Sequence, residues 1–257
     1  MPIIKVNNRD VHIQELNTAA PETILLVHGM CSNLSIYYFR IAPILARHFH
    51  VVMYDLKSHG MSEKISSGYD LNSLTDDLVH LMEYLHIASA YLAGYSFGGL
   101  ICLKMATRFP QRIKKLVLIE APNPNDDKIR LVMDAYSRES LEHYLNGPNQ
   151  RKFGNRQMDR KHRLYEHLFH ETTIKRDFMQ ESDFFIDTEI AQIKQETLLL
   201  YGSYSPCLEA GENLKEKISS AALFALNGDH DIPLQEPERI GNMMEMFFKN
   251  QMAQTYS

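Results

Sequence analysis

Short apolar runs alternate with stretches of three-and-four spacing along most of the chain. Thr23-Ile24-Leu25-Leu26-Val27 is apolar almost without interruption, the pattern of a strand buried on both faces. Strand-length runs follow at Phe49–Tyr54, Ala90–Ala93, Lys115–Ile119, Thr197–Gly202 and Ala221–Leu226. Ahead of them, Ile3–Val6 and the alternating Val11–Leu16 flank Asn7-Asn8-Arg9-Asp10 and predict a hairpin. Helical spacing fills the gaps. Leu71, Leu74, Leu78, Leu81, Met82 and Leu85 share one face of a helix over 71–86. Residues 34–48, 209–218 and 236–249 also read as helical, as does a stretch from Leu100 that runs to Phe109-Pro110. Strands alternating with helices in this way predict an α/β fold with a mainly parallel sheet.

Between Asn123 and about Ile193 the alternation stops. Residues 127–145 and 156–181 are helical and amphipathic, rich in charge (Arg130, Arg160, Lys161, Arg176) and in aromatics, with no strand pattern. The chain therefore divides into a core of residues 1–122 and 194–257 and a helical insertion at 123–193.

Composition bounds the function without selecting one. The 257 residues are 44% hydrophobic, enough for one sizeable core. A net charge of −5 with no basic run gives no electrostatic case for nucleic acid. The three cysteines, Cys31, Cys102 and Cys207, are odd in number and far apart, so a reducing compartment fits better than a disulfide framework. Met1–Lys5 lack the apolar core of a signal peptide, and no stretch approaches membrane-spanning length, so a cytoplasmic protein is expected. His162, His167 and His170 fall on one helix without acidic partners at ligand spacing and read as surface histidines. No metal and no cofactor are expected.

The candidate chemistry lies in Gly94-Tyr95-Ser96-Phe97-Gly98-Gly99, set between the strand run at 90–93 and the helical stretch from Leu100. A serine on a sharp strand-to-helix turn needs neighbours without Cβ two residues away, because the arms of the turn nearly touch. The helix N-terminus behind it leaves N–H groups facing a developing oxyanion. Strand, Gly-x-Ser-x-Gly, helix resembles the nucleophile elbow of the α/β-hydrolases.

Further motifs carry the same resemblance. His28-Gly29-Met30 ends the strand at 23–27, where the family places a loop supplying an oxyanion donor; this implies backbone N–H donors from Met30 and Phe97, with His28 buried as a loop-holding residue. Asp55-Leu56-Lys57-Ser58-His59-Gly60-Met61-Ser62 resembles the family's Asp-x-x-x-x-Gly-x-Ser turn, with Lys57-Ser58 in place of the usual Arg-Gly, and suggests a slightly altered turn. Asp55 and His59 fit a loop-fixing network better than an acid/base pair. His230, followed by Pro233 and Glu236-Pro237-Glu238, resembles the family's histidine loop.

The resemblance spans 21–122 and 197–249. It implies the α/β-hydrolase fold: a mainly parallel eight-stranded sheet with flanking helices, and 123–193 as a helical cap over the site. Ser96 is then the nucleophile and His230 its base. The acid departs from the usual pattern. Capped relatives mostly place an Asp where this chain has Ser205, and no carboxylate occurs between Glu196 and Glu209. Haloalkane dehalogenases carry the acid after the strand that follows the elbow helix, and Glu120 occupies that position. Strand-end carboxylates also occur in relatives without any triad role. Serine at the elbow argues against a dehalogenase or epoxide hydrolase, which use Asp. The implied activity is cleavage of a small-molecule carboxylic ester or thioester through an acyl-serine, a carrier-bound acyl group being one of the substrates this admits. Tyr95, Leu131, Tyr136 and Phe153 are the candidate substrate contacts. An acyltransferase, a C–C hydrolase and a ligand receptor with vestigial hydrolysis stand as alternatives on the same residues.

Overall fold

The computed structural model describes residues 2–127, 129, 155–180 and 187–252. Its centre is one sheet of eight strands in the order β1-β2-β4-β3-β5-β6-β7-β8. These are β1 (Ile3–Val6), β2 (Arg9–Leu16), β3 (Thr23–Val27), β4 (His50–Tyr54), β5 (Ala90–Tyr95), β6 (Ile113–Ile119), β7 (Thr197–Gly202) and β8 (Ala221–Leu226). The hairpin pair and β2–β4 run antiparallel, and every other pairing is parallel. The predicted four-residue turn at 7–10 is shorter than expected. Asn7 and Asn8 alone make it, at φ of 47° and 63°, and Arg9 already pairs with Val6. Two consecutive left-handed residues match the twist of the flanking strands, and asparagine tolerates that conformation.

Two apolar layers sandwich the sheet. One face packs against α3 (Leu71–Tyr84) and α4 (Phe97–Arg108), and the same cluster takes in Leu214 of α8 (Leu208–Lys217). The other packs against α1 (Ser35–Tyr38), α2 (Ala42–Leu45) and α10 (Pro237–Phe248), the last preceded by the single turn α9 (Ile232–Gln235). The expected helix at 34–48 is thus two short helices, with Pro43 in the first turn of the second. Proline is accepted there because that N–H has no intrahelical partner. Asp70 caps α3, accepting the Ser73 N–H at 2.9 Å, and the predicted apolar face through Leu71, Leu74, Leu78, Leu81 and Met82 is buried.

The described part of the insertion holds α5 (Asn155–Glu171), α6 (Ile174–Gln180) and α7 (Asp187–Ile190), with no strand among its described residues. The expected helix at 127–145 falls almost wholly outside the described residues. Leu168, Ile174, Phe178 and Ile190 join the apolar cluster that holds α3 and α4. Tyr69 N–H donates to the Asp177 carboxylate at 3.0 Å and Thr173 N–H to the Ser66 carbonyl at 2.9 Å, tying α6 to the core loop. The α5 histidines differ from expectation. His167 Nδ1 lies 2.6 Å from Glu171, and His162 and His170 flank Glu166 at 3.5 and 3.7 Å, so each has an acidic neighbour one helical turn away. His167 also reaches Ser58 Oγ at 3.3 Å and is mostly covered. No helix among the described residues is long and apolar enough to cross a membrane.

Candidate active site

The parallel register carries the C-terminal ends of β5, β6 and β7 to one edge of the sheet. Ser96 follows β5 at φ 52° and ψ −121°, and helix α4 starts at the next residue. Its N–H donates to the Ile119 carbonyl at 2.8 Å, so the strained residue is held by the neighbouring strand. The elbow is as tight as its glycines require. A Cβ on Gly94 would stand 2.3 Å from the Gly98 carbonyl oxygen, and one on Gly98 would stand 2.3 Å from that of Val27. A positive φ in a side-chain-bearing residue costs about 1–3 kcal/mol and persists only where the surroundings enforce it.

Glu120 repeats the device one strand over. It follows β6 at φ 55°, with its N–H on the Leu200 carbonyl at 3.0 Å. Its side chain is fully buried. The carboxylate accepts the Gly202 N–H on one oxygen and the Ser205 hydroxyl on the other. The Cys207 N–H donates to Ser205 Oγ at 3.0 Å, which leaves the serine's own proton for Glu120. His230 completes the row. Its Nδ1 lies 3.1 Å from Glu120 Oε2 and its Nε2 lies 3.0 Å from Ser96 Oγ. Serine, imidazole and carboxylate therefore form one hydrogen-bonded chain across three strand ends.

The loop carrying His230 is braced from both sides. Asp229 accepts the Asp231 N–H at 2.9 Å and the Gln235 amide at 2.8 Å, and the Tyr95 hydroxyl donates to the His230 carbonyl at 3.0 Å. The Asp229 carboxylate is thus engaged within the loop, and that of Asp231 accepts the Tyr95 hydroxyl at 3.2 Å. Burial opposes a charge on His230. The hydrogen bonds to the Cys207 sulfur and the Glu120 carboxylate, with the charge they bring, outweigh that and hold the ring well above the ordinary imidazole value.

Around this chain sits a network of buried polar loops. His28 is fully buried; its Nδ1 donates to the Gly29 carbonyl at 2.8 Å and its Nε2 accepts the Leu56 N–H at 2.9 Å. Asp55 fixes its loop as expected, but through a different histidine. It meets His12 Nδ1 at 2.6 Å and accepts the Leu34 and Met61 N–H groups. His59 instead donates to the Lys57 carbonyl and accepts the Cys31 N–H. Ser58, standing where the family usually has glycine, takes a left-handed φ of 61°.

The structure therefore brings Ser96, His230 and Glu120 together. Phe97 opens α4 directly after the serine, and a Cβ on Gly29 would stand 3.0 Å from Ser96 Cβ, which sets Met30 beside the elbow as well. Tyr95, expected at the substrate, is 5% exposed and spends its hydroxyl on the histidine loop. Leu131, Tyr136 and Phe153 lie outside the described residues. Two participants escaped sequence reasoning. Ser205 donates its hydroxyl to the Glu120 carboxylate, and Cys207 Sγ approaches His230 Nδ1 at 3.6 Å. No metal was expected, and among the described residues ligand atoms of Glu120, Cys207 and His230 lie within 4.8 Å of one another. Separations of 23 to 110 residues hide these contacts from any local pattern.

Residues 22–138 match the family model described as alpha/beta hydrolase fold. An enol-lactonase from Burkholderia xenovorans superposes with a TM-score of 0.75 at 23% identity, covering 96% of this chain and all of that one. Together with the sheet order, this shows that the chain has the α/β-hydrolase fold. Among its relatives, the (E)-2-((N-methylformamido)methylene)succinate hydrolase of Acinetobacter baylyi is 23% identical over 95% of each chain. An acetyltransferase component of the acetoin cleaving system from Pseudomonas putida is 36% identical over 115 residues, 45% of this chain; the match spans only 31% of that protein. A putative carbamate hydrolase of Pantoea ananatis is also similar, 32% identical over 102 residues, 39% of this chain and 37% of that protein.

Proposed function

We propose that the protein is a serine hydrolase that cleaves a small carboxylic ester or thioester through an acyl-serine intermediate. The observation that carries this reading is the hydrogen-bonded chain from Ser96 Oγ through His230 to Glu120, at 3.0 and 3.1 Å. Once the ring has given up its extra proton, which its raised value moves to higher pH, the imidazole keeps a proton on Nδ1 towards Glu120 and presents a lone pair on Nε2 to the serine hydroxyl. His230 takes the serine proton as Oγ attacks the acyl carbon and returns it to the leaving group. Water then repeats the sequence and frees the acid. The backbone N–H groups of Phe97 and Met30 stabilise the tetrahedral oxyanion, a contribution of about 10²–10³ in rate for one such donor.

Residues 123–193 act as the cap. In support, Phe178 of α6 faces Phe97 with ring centroids 6.1 Å apart, which brings α6 over the residue next to the nucleophile. The test is multiple turnover of p-nitrophenyl esters across a chain-length series by the wild-type chain, with a fluorophosphonate labelling Ser96. Transfer of the acyl group to an added alcohol in place of acid release would identify an acyltransferase. A single labelling event without release would identify a receptor and overturn the hydrolase reading.

A further inference from the structure

Behind the imidazole, on the side away from Ser96, three side chains of metal-binding type converge. Cys207 Sγ and Glu120 Oε2 lie 3.6 and 3.1 Å from His230 Nδ1. All three donor atoms fall within 4.8 Å. Tetrahedral zinc with ordinary bonds to sulfur, nitrogen and oxygen separates its ligand atoms by about 3.4–3.6 Å, so the two distances to Nδ1 already approach the required spacing and side-chain adjustment within the 4.8 Å limit would seat an ion. Cys207 is 2% exposed and Glu120 is fully buried, while His230 keeps 21% of its side chain open.

We propose that Glu120, Cys207 and His230 form a binding site for a thiophilic divalent cation, Zn²⁺ or Cd²⁺, whose occupancy turns the enzyme off. The inhibitory part rests on the serine-hydrolase reading; the binding part does not. Binding forms bonds from the metal to Sγ, Nδ1 and Oε2. The thiol releases one proton to solvent. The imidazole proton leaves Nδ1 and is carried on Nε2 instead, so the ring stays neutral. Thiolate and carboxylate together neutralise the dication, the condition for a buried ion. A ring protonated at Nε2 is a donor towards Ser96 and cannot take its proton, which ends catalysis. A thiolate–imidazole–carboxylate set selects zinc and cadmium over magnesium and calcium. Because the ion must pass the imidazole, inhibition develops slowly and is reversed by a chelator.

The test titrates Cd²⁺ into the full chain and follows the ultraviolet thiolate-to-cadmium absorption. The wild type should saturate at one equivalent, with Zn²⁺ competing, and Ser96→Ala should bind equally, since Ser96 supplies no ligand. Cys207→Ala should lose the band, and Glu120→Gln should bind about ten- to a hundredfold more weakly or worse, as loss of even an outer partner does that. In the ester assay Cys207→Ala, referred to its own metal-free rate, should need about tenfold more Zn²⁺ for half-inhibition; Cys207→Ser replaces it if the alanine variant does not fold. A wild-type chain without a cadmium band, or a band that persists without Cys207, overturns the site. Zinc inhibition undiminished in the Cys207 variant overturns the switch. An inactive wild type that still shows the Cys207-dependent band leaves the metal site standing and removes the hydrolase reading alone.

Discussion

Replacing Glu120 by Gln keeps the shape of a fully buried side chain and removes its charge. In the wild type the carboxylate stands 3.1 Å from His230 Nδ1. In the transition state the ring becomes cationic, with its charge centre about 4 Å from that of the carboxylate; at an effective dielectric of about 20 the attraction is about 4 kcal/mol, or about 10³ in rate. A second effect compounds it. If the Gln oxygen stays on the Gly202 N–H, its amide nitrogen faces Nδ1 as a donor, and the ring turns to the tautomer with Nε2 protonated. Loss of both charge and tautomer is worth about 10⁴ in kcat. Stability should change by no more than about 1–2 kcal/mol, since the hydrogen-bonding sites remain filled and a buried charge is removed. The assay is steady-state hydrolysis of a p-nitrophenyl ester with urea denaturation alongside. The acid limb of the pH profile should also move to lower pH in the variant, because the carboxylate is part of what holds His230 high. Adding Ser205→Asp should restore part of the rate, since Ser205 Oγ already touches the same carboxylate oxygen. A folded Glu120→Gln protein with wild-type kcat would refute the reasoning.

Further outcomes are expected on equally specific grounds. Ser96→Ala should fold and lose about 10⁶ in kcat, by the scale seen when a triad serine is removed; turnover unchanged in the purified variant would exclude a serine mechanism. Gly98→Ala places a Cβ 2.3 Å from the Val27 carbonyl oxygen and 2.6 Å from that of His28, both backbone, and should destabilise by about 3 kcal/mol or more in urea titration. A midpoint within error of wild type would show that the elbow is looser than its geometry. Acid should weaken the fold before the carboxylates titrate. Burial and the neighbouring His28 depress His59 to about 3, so the folded ring stays neutral while the unfolded one gains a proton below its ordinary 6.5. Stability is therefore present above pH 6.5 and lost as pH falls towards 3, by about 2 kcal/mol at pH 5 from this ring alone. Stability that stays flat between pH 7 and 5 would contradict it, and His59→Gln should flatten the slope by about one proton.

What the sequence determined by itself is local. Uninterrupted apolar runs such as Thr23–Val27 and the three-and-four spacing of Leu71–Met82 state which surfaces must leave water, and the structure buries them. Glycines two residues either side of Ser96 state that backbone passes close on both sides, and it does. Position relative to the strands placed Glu120 at the end of β6 and His230 after β8. Partner choice across the sheet belongs to the tertiary structure alone. Only the order β5-β6-β7 puts Glu120 between Ser96 and the Gly202–Cys207 turn, where the Ser205 hydroxyl meets its carboxylate. His12 meets Asp55 across 43 residues, and His167 reaches Ser58 across 109, for the same reason. Spacing along the chain encodes which face of an element is apolar; which side chains then touch is set by strand register and crossover, and no local period records either.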